Sequence, residues 1–330
     1  MPRKLITLAS LALTLSSAGW NNPERVPVQT GTDDQFIVGI FRPDGVIVPF
    51  AQYTNRKWIN PWHRPQPDQQ PDEPDTIADL SQPWYETLVR QVSEWRLVTT
   101  SDQVQTVKTF KSIQVCSHCQ QVWGLLSNYP TPKLPEKNEC VRNLGIALNN
   151  KKEARAMMLR TSASAEWKQL VRFIAPEFER AEKAGLQGAV QHYSLQIPSP
   201  EIRAKVPLTM LNLYRTQLAD KDQLIFYFEA SKKYPKPPEA NDAGCNNISL
   251  LGGWVLQDSK KNLTLLASQF SPTDCDMKEG GLILPFAILQ LDGKTFAIAE
   301  EDSYEGESYI ILEIRKNGIH RVLETYAGSC

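Results

Sequence analysis

Short turns between apolar runs dominate the last third of the chain. Residues 283–291 and 294–299 are apolar runs separated by Asp292-Gly293, and the same pattern recurs on either side of Asn317-Gly318. Asp-Gly and Asn-Gly readily adopt the positive φ angles that two-residue β-hairpin turns require. Parallel strands would need a helix-length connection between them, and this region has none. Its sequence therefore predicts an antiparallel β meander.

Helical spacing of apolar residues is confined to two segments. After Pro83, apolar side chains recur every four positions, which predicts a short amphipathic helix. The main helical segment is predicted over residues 151–185, where Pro176 should kink or restart the helix and Gly185 should end it. Further strands are predicted within residues 36–60, 95–115 and 208–270. We therefore expect an α+β fold made of predominantly antiparallel β meanders with one helical insertion.

A repeated heptapeptide suggests that part of this fold is duplicated. GVIVPFA occupies residues 45–51 and GLILPFA occupies residues 281–287, and the two copies differ only where Leu replaces Val. The flanking residues also agree in pattern, so we interpret the repeat as an internal duplication of a three-strand unit. Blades of a propeller-like array are the alternative. Because proline is confined to edges and bulges of sheets, Pro49 and Pro285 should mark equivalent bulges or edges.

The first 18 residues have the pattern of a secretory signal peptide. Arg3 and Lys4 precede an apolar run over residues 5–15, and small residues at 16–18 place the cleavage site after Ala18. This run is shorter than the roughly 20 residues that a membrane-spanning helix needs. No other segment is apolar enough to span a membrane. We therefore expect a secreted or periplasmic protein without a membrane span after signal cleavage.

Export changes the interpretation of the cysteines. An even number of cysteines in an oxidising compartment is typical of a disulfide framework. The sequence leaves the connectivity open among the 15 pairings that six cysteines permit. The disulfide candidates are Cys116, Cys119, Cys140, Cys245, Cys275 and Cys330.

The sharpest catalytic candidate is Cys116-Ser117-His118-Cys119. An apparent strand precedes it, and residues 120–126 can be read as a helix whose N-terminus would lower the pKa of a thiol. This motif resembles that of exported members of the thioredoxin-like family. The resemblance implies a thiol–disulfide oxidoreductase in which Cys116 is the nucleophile. Two other interpretations stay open: a structural disulfide with Cys140, and a zinc site that includes His118.

Charge and motif content exclude several other classes of function. The net charge of −1 gives no basic footprint for nucleic acid. The chain has no phosphate loop, no dinucleotide-binding glycine motif and no nucleophile elbow, so we expect neither a cofactor nor a bound metal. Of the four histidines, His118 lies within the Cys-x-x-Cys motif, and no catalytic pattern surrounds His63, His192 or His320.

Two further features have both a structural and a functional interpretation. Acidic residues cluster between Glu300 and Glu307, and we expect a solvated loop there, with a calcium site as the alternative. Aromatic residues flank the proline-rich segment at Trp58, Trp62 and Trp84-Tyr85. We expect these to anchor the core, although such side chains can also form a platform for sugars or peptides.

The sequence divides into five regions. They are a signal peptide (1–18), an N-terminal β meander with the first heptapeptide (19–60), a proline-rich linker (61–83), a mixed α/β region with the first cysteines and helix 151–185 (84–200), and a C-terminal antiparallel β domain (201–330). The leading hypothesis is a disulfide-stabilised protein with a binding or structural role in the cell envelope or outside the cell. Its partner would be a protein, peptide or glycan. The alternative is the oxidoreductase.

Overall fold

A computed structural model describes residues 35–61, 75–77, 82–99, 104–117, 120–131, 141–189, 198–218, 222–235, 248–273, 281–302 and 306–329. The predicted signal peptide, most of the proline-rich linker and five of the six cysteines lie outside these residues. The described chain is mostly antiparallel β-strand with three helices, so the β-rich α+β expectation is confirmed. Within it, no helix is both long enough and apolar enough to cross a membrane.

The helices and strands follow one another in this order: β1 (Phe36–Phe41), β2 (Val46–Thr54), β3 (Lys57–Ile59), β4 (Asp75–Thr76), α1 (Gln82–Gln91), β5 (Glu94–Thr99), β6 (Val104–Ser117), β7 (Gln120–Ser127), β8 (Gly145–Leu148), β9 (Ala154–Ala156), β10 (Met158–Leu159), α2 (Ala165–Ala189), α3 (Pro200–Lys205), β11 (Thr209–Gln217), β12 (Leu224–Lys233), β13 (Ile248–Gln257), β14 (Leu263–Thr273), β15 (Leu282–Leu291), β16 (Lys294–Asp302), β17 (Gly306–Arg315) and β18 (Gly318–Ser329).

The first half of the described chain forms a closed six-stranded barrel. Its strands run in the order β1-β8-β5-β6-β7-β2, and pairing of β1 with β2 completes the circle. Strand β3 extends the sheet from β2 through a turn in which Asn55 and Arg56 both have positive φ. Closure leaves few unpaired edges in the barrel. This arrangement differs from the blades of a propeller, which was the alternative architecture.

The second half contains two sheets that are antiparallel apart from the pairing of β18 with β4, and residues 154–159 contribute an edge strand to each. One sheet has the order β10-β11-β12-β13-β14, and the other has the order β4-β18-β17-β16-β15-β9. Strands β9 and β10 are separated only by Met157, whose backbone N–H donates to the carbonyl of Phe286 at 2.8 Å. The chain therefore passes from the edge of one sheet directly to the edge of the other.

The predicted helix over residues 151–185 is wrong at both ends. Strands β9 and β10 occupy its first part because their backbones complete the two sheet edges. Helix α2 begins at Ala165 and continues through Pro176 and Gly185 to Ala189. Gly185 does not end the helix. Instead, it packs against β14, where an added Cβ would overlap the ring of Phe270.

Both heptapeptides place a phenylalanine in a β-bulge. In β2, Pro49 and Ala51 have partners on β1 but Phe50 does not, and in β15 the register with β16 skips Phe286 in the same way. The two aromatic side chains are fully buried in the same hydrophobic cluster. The strands that precede the two heptapeptides pair differently. Strand β1 pairs with β2, whereas β14 and β15 lie in different sheets.

The barrel packs against the sheet that contains β15–β18. Residues from the barrel strands and from this sheet share one hydrophobic cluster, in which the rings of Phe50 and Tyr309 lie 5.5 Å apart. A second cluster joins other barrel residues to helix α1. Trp58, Trp84 and Tyr85 are buried in these clusters, so the expectation that they anchor the core is confirmed, while Trp62 lies outside the described residues.

Candidate functional site

A polar cleft lies where the barrel meets the two sheets of the second half. It has a volume of about 460 Å³. The barrel contributes Arg42, which follows β1, Ser117 at the end of β6, and residues 141–143 before β8. The opposite wall comes from β11, β12, β15, β16 and β17. We call this space the polar cleft because carboxylate, guanidinium and amide groups make up most of its lining.

Two buried glutamates from neighbouring strands share one amide in the polar cleft. Asn143 Nδ2 donates to Glu300 Oε2 at 2.6 Å and to Glu307 Oε1 at 3.3 Å. Both glutamates are only 8% exposed. Burial, reinforced by the charges of Glu307 and Asp302, raises the pKa of Glu300 to about 8. Burial and the neighbouring acidic groups therefore favour the protonated form of the Glu300 carboxyl group.

A third glutamate approaches from the other sheet. Glu229 on β12 accepts hydrogen bonds from Asn212 Nδ2 at 2.6 Å and from the Tyr227 hydroxyl at 3.2 Å. Burial raises the pKa of Glu229, although both hydrogen bonds favour the ionised form. The nearby tyrosines Tyr214 and Tyr309 also have raised pKa values, first because of burial and then because of the glutamates beside them.

Arg42 and Arg142 are the cationic side chains among the described residues that line the polar cleft. Arg42 is 2% exposed and is held by Asp44, with a shortest N–O distance of 2.7 Å. Its guanidinium group also donates to the carbonyl oxygen of Cys116. Arg142 is exposed, and its charge lowers the pKa values of Glu229 and Glu300 without overcoming the effect of burial. Among the described lining residues, four carboxyl groups therefore accompany two guanidinium groups, and one of these, that of Arg42, is already paired with Asp44.

A second cavity adjoins the polar cleft between the two sheets of the second half. Its volume is about 240 Å³, and both Glu229 and Ile283 line it as well as the polar cleft. Away from Glu229, much of its wall is apolar, with Trp254 and Leu312 on opposite sheets and Gly252-Gly253 on β13. We call this space the apolar cavity.

The structure places the described half of the Cys-x-x-Cys motif, Cys116 and Ser117, at the end of β6. The predicted helix over residues 120–126 is wrong, because this segment is strand β7, which pairs with β6 through Cys116 and Gln121. No helix therefore follows the motif to lower a thiol pKa. Cys116 is buried, and the other five cysteines lie outside the described residues. The disulfide pairing remains a prediction.

The remaining predicted site residues are not brought into the polar cleft. His320 is exposed on β18, and the other three histidines lie outside the described residues. Within the described parts of the chain, no group of three His, Cys, Asp or Glu side chains is arranged to hold a metal ion. Neither the zinc interpretation nor the calcium interpretation therefore gains support from the described residues.

The acidic residues between 300 and 307 are the site that sequence reasoning missed. The expected solvated loop is wrong for Glu300 and Glu307, which are buried on β16 and β17. Side chains alternate between the two faces of a strand, so Glu300 shares a face with Ile298 and Glu307 shares one with Tyr309, and this face packs against the barrel. The opposite face, which includes Ala299, is buried against the other sheet. Because both faces are covered, the alternation in the sequence did not indicate which residues would be buried.

Comparison of the chain with protein-family models, with curated proteins and with solved structures gives no match. The functional argument therefore depends on the residues of the polar cleft and the apolar cavity.

Proposed function

We propose that this is an exported, disulfide-stabilised binding protein, secreted or periplasmic, that holds a ligand bearing a positive charge in the polar cleft. The observation that carries the proposal is the charge of the lining. Among the described residues, four carboxyl groups line the cleft together with Arg142, and the second arginine of the lining, Arg42, is paired with Asp44. The four carboxyl groups are those of Glu229, Glu300, Asp302 and Glu307.

The raised pKa values explain why a cation would bind. A carboxylate that is buried beside other carboxylates keeps its proton unless an opposite charge approaches it. A ligand with an ammonium or guanidinium group would supply that charge, because a cation is attracted to the carboxylates of Glu300 and Glu307. Binding would then be coupled to release of the Glu300 proton. A volume of about 460 Å³ lies within the usual range for small-ligand sites.

Among the partner classes that the sequence leaves open, this lining favours a small amine or a basic peptide side chain. A neutral glycan would offer hydroxyl groups to the carboxylates, but it would not compensate their charge. The two heptapeptide bulges do not line this site. We interpret the bulges as part of an internal duplication that builds the core beneath the cleft, and this interpretation also remains a proposal.

The experiment is a calorimetric titration of the mature protein with propylamine at pH 9. At this pH the Glu300 carboxyl is largely ionised, while the amine, like lysine with a pKa of about 10.4, remains charged. We expect binding that Glu300→Gln weakens at least tenfold, because one charge partner is removed. Glu94→Gln is the matched control, since Glu94 is an exposed carboxylate on β5 with a side chain 62% exposed.

Propionate and a neutral trisaccharide complete the panel. Both should fail to bind at concentrations where propylamine saturates the protein. Absence of propylamine binding, or equal losses in Glu300→Gln and Glu94→Gln, would contradict the proposal.

The alternative function is a thiol–disulfide oxidoreductase that uses Cys116 and Cys119. One observation favours a link between this motif and the cleft, because Ser117 lines the cleft and its hydroxyl lies 3.3 Å from that of Tyr309. The hairpin setting supplies no helix dipole to activate a thiolate. We therefore rank the binding function first.

A further inference from the structure

The apolar cavity and the polar cleft meet at two residues. Glu229 and Ile283 line both spaces, so a molecule held at the carboxylates could extend into the apolar cavity without leaving the protein. Glu229 is 4% exposed and stands at this junction with its carboxylate held by Asn212 and Tyr227. The combined space has a charged end and an apolar end.

A glycine shapes the apolar end. An added Cβ at Gly252 would lie 2.9 Å from the Tyr227 hydroxyl, and both residues line the cavity. At this position the β13 backbone itself therefore forms the wall. Trp254, which is 3% exposed, adds an aromatic surface two residues along the same strand. Flat backbone and an indole ring suit an apolar chain or ring.

We propose that the ligand is an amphipathic cation, with an ammonium or guanidinium head in the polar cleft and an unbranched alkyl or aromatic body in the apolar cavity. This inference rests on the proposed function, because the head group is the cation assigned above. It adds the size and polarity of the rest of the molecule. Glu229 marks the point where the charged head ends and the apolar body begins.

The test compares propylamine with hexylamine at pH 9. Each buried methylene group should tighten binding about fourfold, so three additional methylenes should give a gain of about sixtyfold. Hexanoate carries the same chain with the opposite charge, and hexanol carries it without charge. Both should bind at least tenfold more weakly than hexylamine, because burial of the chain alone does not satisfy the carboxylates.

Two variants fill the apolar cavity from different sides. Ala267→Leu enlarges a half-buried side chain on β14, and Gly281→Leu adds one where a Cβ would meet only Glu301 Oε1, at 3.8 Å. Either variant should reduce the advantage of hexylamine over propylamine to less than about fivefold while propylamine affinity stays unchanged. Thr264→Leu is the matched control, since Thr264 is exposed on β14 and does not line the cavity.

The outcomes separate the two proposals. If propylamine does not bind, the proposed function fails. If propylamine binds but hexylamine binds no tighter, the cationic site stands and the amphipathic ligand is refuted. If hexylamine keeps its full affinity advantage over propylamine in both cavity variants, as it does in Thr264→Leu, the alkyl chain lies elsewhere and the inference is also refuted. Circular dichroism of each variant establishes that it is folded before binding is compared.

Discussion

A buried lysine joins helix α2 to strand β12, and its removal should destabilise the protein strongly. Lys232 is 2% exposed, and its ammonium group lies 2.5 Å from Glu179 Oε1 and 3.4 Å from Glu182 Oε2. It also donates to the carbonyl oxygen of Arg203, at 3.3 Å, near the end of α3. Glu182 is 1% exposed and accepts a further hydrogen bond from the Tyr234 hydroxyl.

The perturbation is Lys232→Met, which keeps an unbranched apolar stem and removes the charge. Glu179 can turn to solvent because its side chain is 61% exposed, but Glu182 cannot. Breaking a buried ion pair by removing one partner costs about 3–5 kcal/mol, because the remaining charge is left uncompensated. The Tyr234 hydroxyl still serves Glu182, so we expect a loss of about 3 kcal/mol, at the lower end of that range.

The assay is urea denaturation at pH 7, followed by circular dichroism and tryptophan fluorescence. Arg180→Met is the matched control on the same helix, since Arg180 pairs with Glu177 at 2.7 Å but is 75% exposed. Exposed pairs contribute about 0–1 kcal/mol, so the control should change stability by no more than that.

A double variant tests the cause. Glu182→Gln removes the stranded charge but keeps an acceptor for Tyr234, so Lys232→Met with Glu182→Gln should be more stable than Lys232→Met alone. If Lys232→Met costs no more than Arg180→Met, or if the double variant regains nothing, the reasoning from buried charge is refuted.

Two further predictions concern titration and cysteine pairing. Glu300 has a pKa of about 8 in the fold against an ordinary value of 4.5, so between these values the folded state holds a proton that the unfolded state has lost. The unfolding free energy should therefore fall by about 1.4 kcal/mol per pH unit as the pH rises through this window. Glu300→Gln should remove that component of the slope, and an identical slope in both proteins would contradict the assignment. Mass spectrometry of the native protein should find Cys116 or Cys119 joined to Cys140 or to a more distant cysteine. A readily reduced bond between Cys116 and Cys119 would instead favour the oxidoreductase.

Local chemistry made much of the β structure predictable. The turn at Asp292-Gly293 has positive φ at both residues, as the dipeptide indicates, and it joins β15 to β16 in the expected register. The amphipathic pattern after Pro83 is helix α1. These features depend on residues a few positions apart, so one sequence suffices to recognise them. Proline beside Phe50 and Phe286 likewise marked two bulges, because proline has no backbone N–H to donate to the neighbouring strand.

Predictions failed where a segment's structure depends on a distant partner. Residues 154–159 form strands because their backbone pairs with β15 in one sheet and with β11 in the other. Residues 120–126 became a strand because the end of β6 pairs with them. In both cases the intrinsic preference of a short segment was outweighed by backbone hydrogen bonds to residues far along the chain or across a hairpin.

The sequence alone determined that this chain builds antiparallel sheets, because turn dipeptides and alternating side chains act over short distances. The burial of Glu300 and Glu307, where the sequence predicted a solvated loop, depends instead on the tertiary structure, because the barrel covers one face of β16 and β17 and the other sheet covers the opposite face. Only the tertiary structure decided that Asn143, 157 residues away from Glu300, would meet them. A cleft between a barrel and two sheets is formed by side chains from several elements. Their juxtaposition depends on how these elements pack, which no local pattern specifies.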